Sequence, residues 1–178
     1  MCSYRVEPGG RIAGEATVPG DKSISHRALM LGAIASGRSR ISGFLEGEDC
    51  LATLAAVQRL GASVHRPSPA TVVVEGAGLR GLAAPAVELD MGNAGTAMRL
   101  FMGLLSGQPF DSVLVGDASL MRRPMERVAV PLRLMGASIA TSDGRPPVRI
   151  SSAPPLRGIR YAMPVASAQV KSALLLAG

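Results

Sequence analysis

Tryptophan is absent from this chain, and aromatic residues fill only 3% of its 178 positions. Tyr4, Phe44, Phe101, Phe110 and Tyr161 are the only side chains on which a base could stack. The basic excess, 19 Lys and Arg against 13 Asp and Glu, contains no run of five like charges. A net charge of +6 without stacking platforms or basic runs points to a small anionic ligand rather than a nucleic acid. Cysteine and histidine are equally sparse. Cys2, Cys50, His26 and His65 stand in no spacing that suits zinc or a disulfide framework. Inert thiols in a reducing cytoplasm are the expectation, with no metal and no other cofactor. No apolar run approaches the ~18 residues a spanning helix needs, so no membrane partner is expected. The N-terminal residues Met1 to Glu7 lack the apolar core of a signal peptide.

What is abundant is aliphatic: hydrophobic residues make up 47% of the chain, so the core must be built from Leu, Val, Ile, Ala and Met. The pattern alternates strands and helices. Tyr4 to Glu7 and Arg11 to Val18 read as strands broken by Pro8-Gly9-Gly10. A helix follows from Ser23 to Ser36, with Gly37 suited to its C-terminal turn. Ser39 to Leu45 is strand-like, a second helix opens on Glu46-Gly47-Glu48-Asp49 and stops at Gly61, and two strands follow, Ala62 to His65 and Thr71 to Glu75. The order then repeats: strand Val87 to Met91, helix Ala97 to Ser106, strand Ser112 to Val115, a helix entered through Arg122-Arg123-Pro124 and interrupted by Pro131, and strands Ala137 to Thr141 and Val148 to Ser151. Leu60-Gly61-Ala62-Ser63-Val64 matches Met135-Gly136-Ala137-Ser138-Ile139, and Leu79-Arg80-Gly81 matches Leu156-Arg157-Gly158, each roughly 75 residues on. A third unit begins with a strand at Ile159 to Val165 and a helix near Ser167. The expected fold is α/β (α+β), in βαβαββ units of about 20–84 and 85–158, with a third started from 159. A chain ending one helix into its third unit reads as a fragment.

The first helix of each unit opens with small and polar residues: Lys22-Ser23 with Arg27, Asn93-Ala94-Gly95-Thr96 with Arg99, and Ser167-Ala168-Gln169 with Lys171. The rest of each helix is almost wholly apolar, which marks it as buried. Free N–H groups and the helix dipole favour anions at such a terminus, and they disfavour cations unless an anionic ligand offsets the repulsion. Each piece also has an ordinary reading. Ser23, Asn93 and Ser167 can be simple N-caps, Arg99 and Lys171 can face solvent or a structural carboxylate, Arg122 and Arg123 can be a solvated loop, and His26 can be structural. Three such helix starts in one chain, together with Arg-Arg-Pro, favour a shared anion-binding surface.

Two of these stretches, Gly20-Asp21-Lys22-Ser23-Ile24-Ser25-His26-Arg27 and Gly92-Asn93-Ala94-Gly95-Thr96-Ala97-Met98-Arg99-Leu100, closely resemble the signature regions of the EPSP synthase (3-phosphoshikimate 1-carboxyvinyltransferase) family. Arg123-Pro124-Met125 and Ser167-Ala168-Gln169-Val170-Lys171-Ser172 match two further family segments, and the resemblance runs the whole length in order. The related enolpyruvyl transferase acting on a UDP-sugar differs in its first motif. The resemblance implies a two-domain enolpyruvyl transferase, each domain an inside-out α/β barrel of three units around buried parallel helices. Residues 1–19 would then belong structurally to the absent second domain, and 20–178 would be an incomplete substrate-binding domain. The implied reaction moves the enolpyruvyl group of phosphoenolpyruvate to the 5-hydroxyl of shikimate 3-phosphate and releases phosphate, in the shikimate pathway of aromatic amino acid (chorismate) biosynthesis.

By motif, Lys22 is the candidate catalytic residue and should touch both substrates. Ser23, Arg27, Ser167, Ala168 and Gln169 should hold shikimate 3-phosphate, while Asn93, Gly95, Arg123 and Gln169 should hold phosphoenolpyruvate. Many family members have Ser where this chain has Ala168, so only backbone contact is expected there. The acid–base Asp, Glu and Lys of the family fall in the absent half, so this chain alone is expected to be inactive. A non-catalytic anion-binding domain is the alternative. Gly95 in place of the Ala of some herbicide-tolerant members implies glyphosate sensitivity, weakened by Gly95→Ala.

Overall fold

The structure is a computed structural model that describes residues 3–5, 7–11 and 13–178. Its elements are α1 (Lys22–Ile34), β1 (Ser36–Ser42), α2 (Glu48–Arg59), β2 (Ser63–Ser68), β3 (Thr71–Ala77), β4 (Leu89–Asp90), α3 (Gly95–Ser106), β5 (Ser112–Val115), a 3₁₀ turn (Leu120–Arg122), α4 (Glu126–Leu134), β6 (Ser138–Ser142), β7 (Arg145–Ser151) and α5 (Ala168–Ala177). The repeat is visible in the sheets. One has the order β1-β3-β2 and the other β4-β5-β7-β6, so in both the last strand of the unit lies in the middle, antiparallel to its neighbours on either side. The tight β6–β7 connection is carried by Asp143 and Gly144, both at positive φ, as a two-residue hairpin turn demands. Gly61 at φ +90 follows the C-cap of α2, the left-handed stop expected of it.

Three expectations about elements fail. The described residues among 3–20 form no strand, and Val18 is 78% exposed; Val6 and Ile12 lie outside the described residues. Ile159 to Val165 is also irregular. In unit two the strand ahead of the helix persists because β4 pairs, in parallel, with β5, the strand that follows α3. Among the described residues no strand follows α5, and the segment ahead of α1 does not take the outer edge of β1, the strand that follows α1. Last, Gly37 does not close α1. The helix ends at Ile34 with an extended Ala35, and Gly37 lies inside β1.

The three unit-opening helices run parallel. Their N-terminal residues meet, Arg27 with Ser172 and Gln169 with Thr96, while Ile34, Leu104, Gly107, Leu176 and Gly178 from their opposite ends line one cavity. Packing between α3 and α5 is backbone-close: a Cβ built on Gly103 would stand 2.0 Å from the Ala173 carbonyl oxygen. α3 is the axis of the core, buried at every residue but Thr96. Leu100, Phe101, Met102, Leu104 and Leu105 join Leu29, Met30 and Leu60 of unit one and Leu114, Val128 and Val148 of unit two in one hydrophobic cluster. Each such fully buried side chain contributes roughly 1.5–3 kcal/mol. The outer helices are covered less completely than their composition implies, since Ile24 and Leu31 of α1 and Leu175 of α5 are exposed.

Candidate functional site

The site is built where the helix N-termini converge. The chain reaches α1 through a contact only glycine permits, because a Cβ on Gly20 would overlap the Gly43 carbonyl oxygen at 1.8 Å. The cap of α1 is Asp21, whose Oδ1 accepts from the Ile24 N–H at 2.7 Å; Ser23 is not the cap, and its carbonyl accepts from Arg27 Nη1 at 3.0 Å. A carboxylate at this terminus is favoured by the dipole and partly offsets the cations beside it. Lys22 donates to Asp49 Oδ2 at 2.8 Å, across to the first turn of α2. That hydrogen bond, reinforced by the carboxylate's charge, raises the Lys22 pKa above its ordinary value. Arg27 Nη2 donates to Ser172 Oγ at 2.8 Å and ties α1 to α5. His26, fully buried between the two, shares a 2.7 Å hydrogen bond with Thr53 Oγ1, and burial pushes its pKa down. It is structural, like the buried thiol of Cys50; Cys2 lies outside the described residues.

Unit two supplies the second half. α3 starts at Gly95, earlier than the expected Ala97, with Ala94 rather than Asn93 at the cap. Asn93 instead bridges two groups. Its Nδ2 donates to Asp117 Oδ2 at 2.7 Å, and its Oδ1 accepts from Arg123. Asp117 also accepts from Leu120 N–H, and these bonds hold its carboxyl below the usual carboxylate range. Arg123, on the loop that enters α4, further reaches the Asn93 carbonyl at 3.3 Å. The Gly95 N–H is engaged by the Asn93 carbonyl at 2.9 Å. In unit three Ser167 caps α5 through Val170 N–H, Ala168 opens the helix at the surface, and Gln169 turns inward.

Around Gln169 the arginines gather. Its Oε1 accepts from Arg99 Nη1 at 3.2 Å and from Arg127 Nη2 at 3.0 Å, and its Nε2 donates to Thr96 Oγ1 at 3.0 Å. Arg99 faces neither solvent nor a carboxylate, contrary to the ordinary reading of the sequence. It is 6% exposed and donates to the carbonyls of Gly95 and Pro124 besides Gln169, with its Nε buried and unpartnered. Burial first, then the charges of Arg127 and Arg123, pull its pKa down to about 10. Lys171 is exposed, as the ordinary reading had it. A methyl on Gly95 would come within 2.9 Å of Arg123 Nη1 and 3.0 Å of Arg99 Nη1, so Gly95 is what lets both guanidinium groups lie over the start of α3.

The site thus carries Lys22, Arg27, Arg123 and Arg127, with buried Arg99 behind them, near helix N-termini and partnered largely by neutral oxygens. Such donors can bind phosphate and carboxylate groups without a metal. No group of three or more His, Cys, Asp and Glu suited to a metal occurs among the described residues. No helix of the described residues is long and apolar enough to cross a membrane. Sequence reasoning missed Asp49, the burial of Arg99, and Arg127. Arg127 was discoverable, for it falls in the first turn of the helix that Arg122-Arg123-Pro124 enters. Asp49 was not, since only the fold sets α2 beside α1.

The family model of EPSP synthase (3-phosphoshikimate 1-carboxyvinyltransferase) matches residues 6–178. The chain belongs to the EPSP synthase family. It is 62% identical over 177 residues to the 3-phosphoshikimate 1-carboxyvinyltransferase of Halorhodospira halophila, an alignment covering 99% of this chain and 40% of that relative. With the protein of the same name from Acidithiobacillus ferrooxidans the identity is 60% over 178 residues, covering 100% of this chain and 41% of the relative. The solved EPSP synthase from Acinetobacter baumannii superimposes with a TM-score of 0.89 at 59% identity, over 93% of this chain and 38% of that one. The chain therefore spans about 40% of the length of its EPSP synthase relatives. Its mixed sheets and parallel helices form one incomplete domain of that two-domain fold.

Proposed function

We propose that this chain supplies the anion-holding part of an enzyme that transfers the enolpyruvyl group of phosphoenolpyruvate to shikimate 3-phosphate in the cytoplasm. The observation that carries the reading is the gathering of five cationic side chains about the helix starts, Arg99 and Arg127 on Gln169 itself, with Asp49 the one carboxylate paired to them among the described ion pairs. In the reaction, C3 of the enol gains a proton while the 5-hydroxyl, losing its own, attacks C2. The tetrahedral intermediate then expels phosphate and gives the C3 proton back. Charge on the phosphates and carboxylates is offset throughout by fixed cations. Lys22 contacts both substrates. Ser23 and Arg27 hold the shikimate carboxylate, and Ser167, the Ala168 backbone and Gln169 hold its phosphate and ring. Arg123, Asn93, Gly95 and Gln169 hold phosphoenolpyruvate, with Arg99 and Arg127 adding charge behind them.

On this reading residues 1–19 pair structurally with the second domain, and the proton-moving groups stand there too. Glyphosate is a competing anion in the phosphoenolpyruvate site, and Gly95→Ala weakens it by displacing Arg123. The decisive binding experiment is calorimetric titration of shikimate 3-phosphate into the complete protein that contains this chain. Arg27→Ala should weaken binding about tenfold or more, the loss of a charge-assisted contact. Unchanged affinity would remove Arg27 from the site. A purely anion-binding role is separated by turnover: binding without phosphate release from the complete protein would favour it.

A further inference from the structure

Lys22 presents a problem that its own helix does not solve. It occupies the first position of α1, where the dipole opposes a cation, and its side chain is 53% exposed, free to sample many rotamers. It also lies near enough to Arg123 for that guanidinium's charge to weigh against it. Without help, Lys22 would swing away from the place where an anion must meet both groups. We propose that Asp49 is a positioning residue that holds the Lys22 ammonium at the seam between units one and two, ready for its anionic ligand. This rests on the assignment of Lys22 as a substrate contact.

The geometry behind Asp49 supports that role. Among the described ion pairs, Lys22–Asp49 is the one that engages a cation of the site. Asp49 lies in the first turn of α2, where the dipole stabilises its charge without a cation. That turn is anchored from beneath. Thr53, fully buried, donates to the Asp49 carbonyl at 3.3 Å and shares its hydroxyl with buried His26 of α1 at 2.7 Å. The carboxylate is therefore a fixed point relative to α1, and Lys22 is the flexible group fixed against it. With one Asp49 oxygen engaged, the two remaining ammonium protons of Lys22 stay available to a ligand.

The test is kinetic and chemical, in the complete protein. Asp49→Ala makes the site more positive, so attraction of anionic substrates is not reduced. Misplacement of Lys22 should instead lower kcat about tenfold, with the KM for phosphoenolpyruvate unchanged or lower. Asp49→Glu, which restores the charge one methylene further out, should recover part of the loss. Acylation of Lys22 by an amine-selective anhydride, followed by mass spectrometry, should be faster in Asp49→Ala than in the parent. If the alanine variant does not fold, Asp49→Asn, isosteric and uncharged, gives the same readouts. An unchanged kcat, a glutamate variant no better than alanine, or an unchanged acylation rate would each overturn the proposal. Absence of enolpyruvyl transfer by the parent protein would instead refute the assigned reaction, and the acylation rate would still decide the role of Asp49.

Discussion

Units one and two share a topology and solve the same electrostatic problem in opposite ways. In unit one the site cation Lys22 stands in solvent and is steadied by a carboxylate from the neighbouring helix. In unit two Arg99 is carried into the interior and surrounded by carbonyl oxygens, without a counter-charge. A small, strongly hydrated ammonium is expensive to bury, whereas the weakly hydrated guanidinium tolerates burial and satisfies its fork with neutral acceptors. The helices differ correspondingly. α1 keeps an open face with Ile24 and Leu31, while α3 is enclosed on all sides. Each unit thus sets a cation near the start of its opening helix, Lys22 at the first position of α1 and Arg99 at the fifth of α3, and the degree of burial decides which cation each place can carry.

The largest expected effect probes that difference in enclosure. Gly103→Ala should cost about 3 kcal/mol, because the Ala173 carbonyl oxygen leaves no room and α3 and α5 must separate. Gly32→Ala in α1 meets only side-chain carbons at 3.4 Å, and should be neutral or stabilising by about 0.5–1 kcal/mol through helix propensity. Urea unfolding midpoints of the two variants measure this directly. Equal costs would mean that the two helices are equally enclosed.

Next in size, Arg99→Leu should lose about 1–2 kcal/mol of stability, since the carbonyls of Gly95 and Pro124 lose their Arg99 donor and Gln169 Oε1 keeps only Arg127. Lys22→Ala should stay within about 0.5 kcal/mol of the parent, as exposed substitutions do. Both should weaken anion binding. If Lys22→Ala destabilises as much as Arg99→Leu, the contrast between a solvent-held and an interior-held cation is wrong.

How much of this could be read in advance follows the range of the interactions. The helices and the second-unit strands follow from local periodicity and punctuation, and β5 falls on Ser112–Val115 as expected. The strands before α1 and α5 do not form: ahead of α5 no following strand is described for pairing, whereas ahead of α1 the chain leaves the edge of β1 untaken. The convergence of the helix starts was legible through the repeat, which turns three ordinary caps into one surface. Arg99 was misjudged because its charge argued for solvent, while the apolar helix that carries it argued for the core, and the helix won. Asp49 is invisible in a motif centred on Lys22, since 27 residues separate the two.

The smallest effect separates the units by pH. Both histidines belong to unit one, and His26 is buried there with its pKa lowered from 6.5 by desolvation. A folded value below the unfolded one means that the unfolded chain takes up the proton first. Stability is therefore complete above pH 6.5 and declines as the pH falls through it toward the folded value. Urea midpoints should drop gradually between about pH 7 and pH 5, and His26→Asn should flatten the curve. An unchanged slope in that variant would move the titration elsewhere.

The most direct test of the division of labour is phosphate release from phosphoenolpyruvate and shikimate 3-phosphate. It should be measured in parallel on the complete protein and on the isolated 178 residues. Release by the complete protein and none by the isolated chain is the result expected on the proposed function, in which this chain holds the anions and the second domain moves the protons. Turnover by the isolated chain, or its absence from the complete protein, would contradict that division.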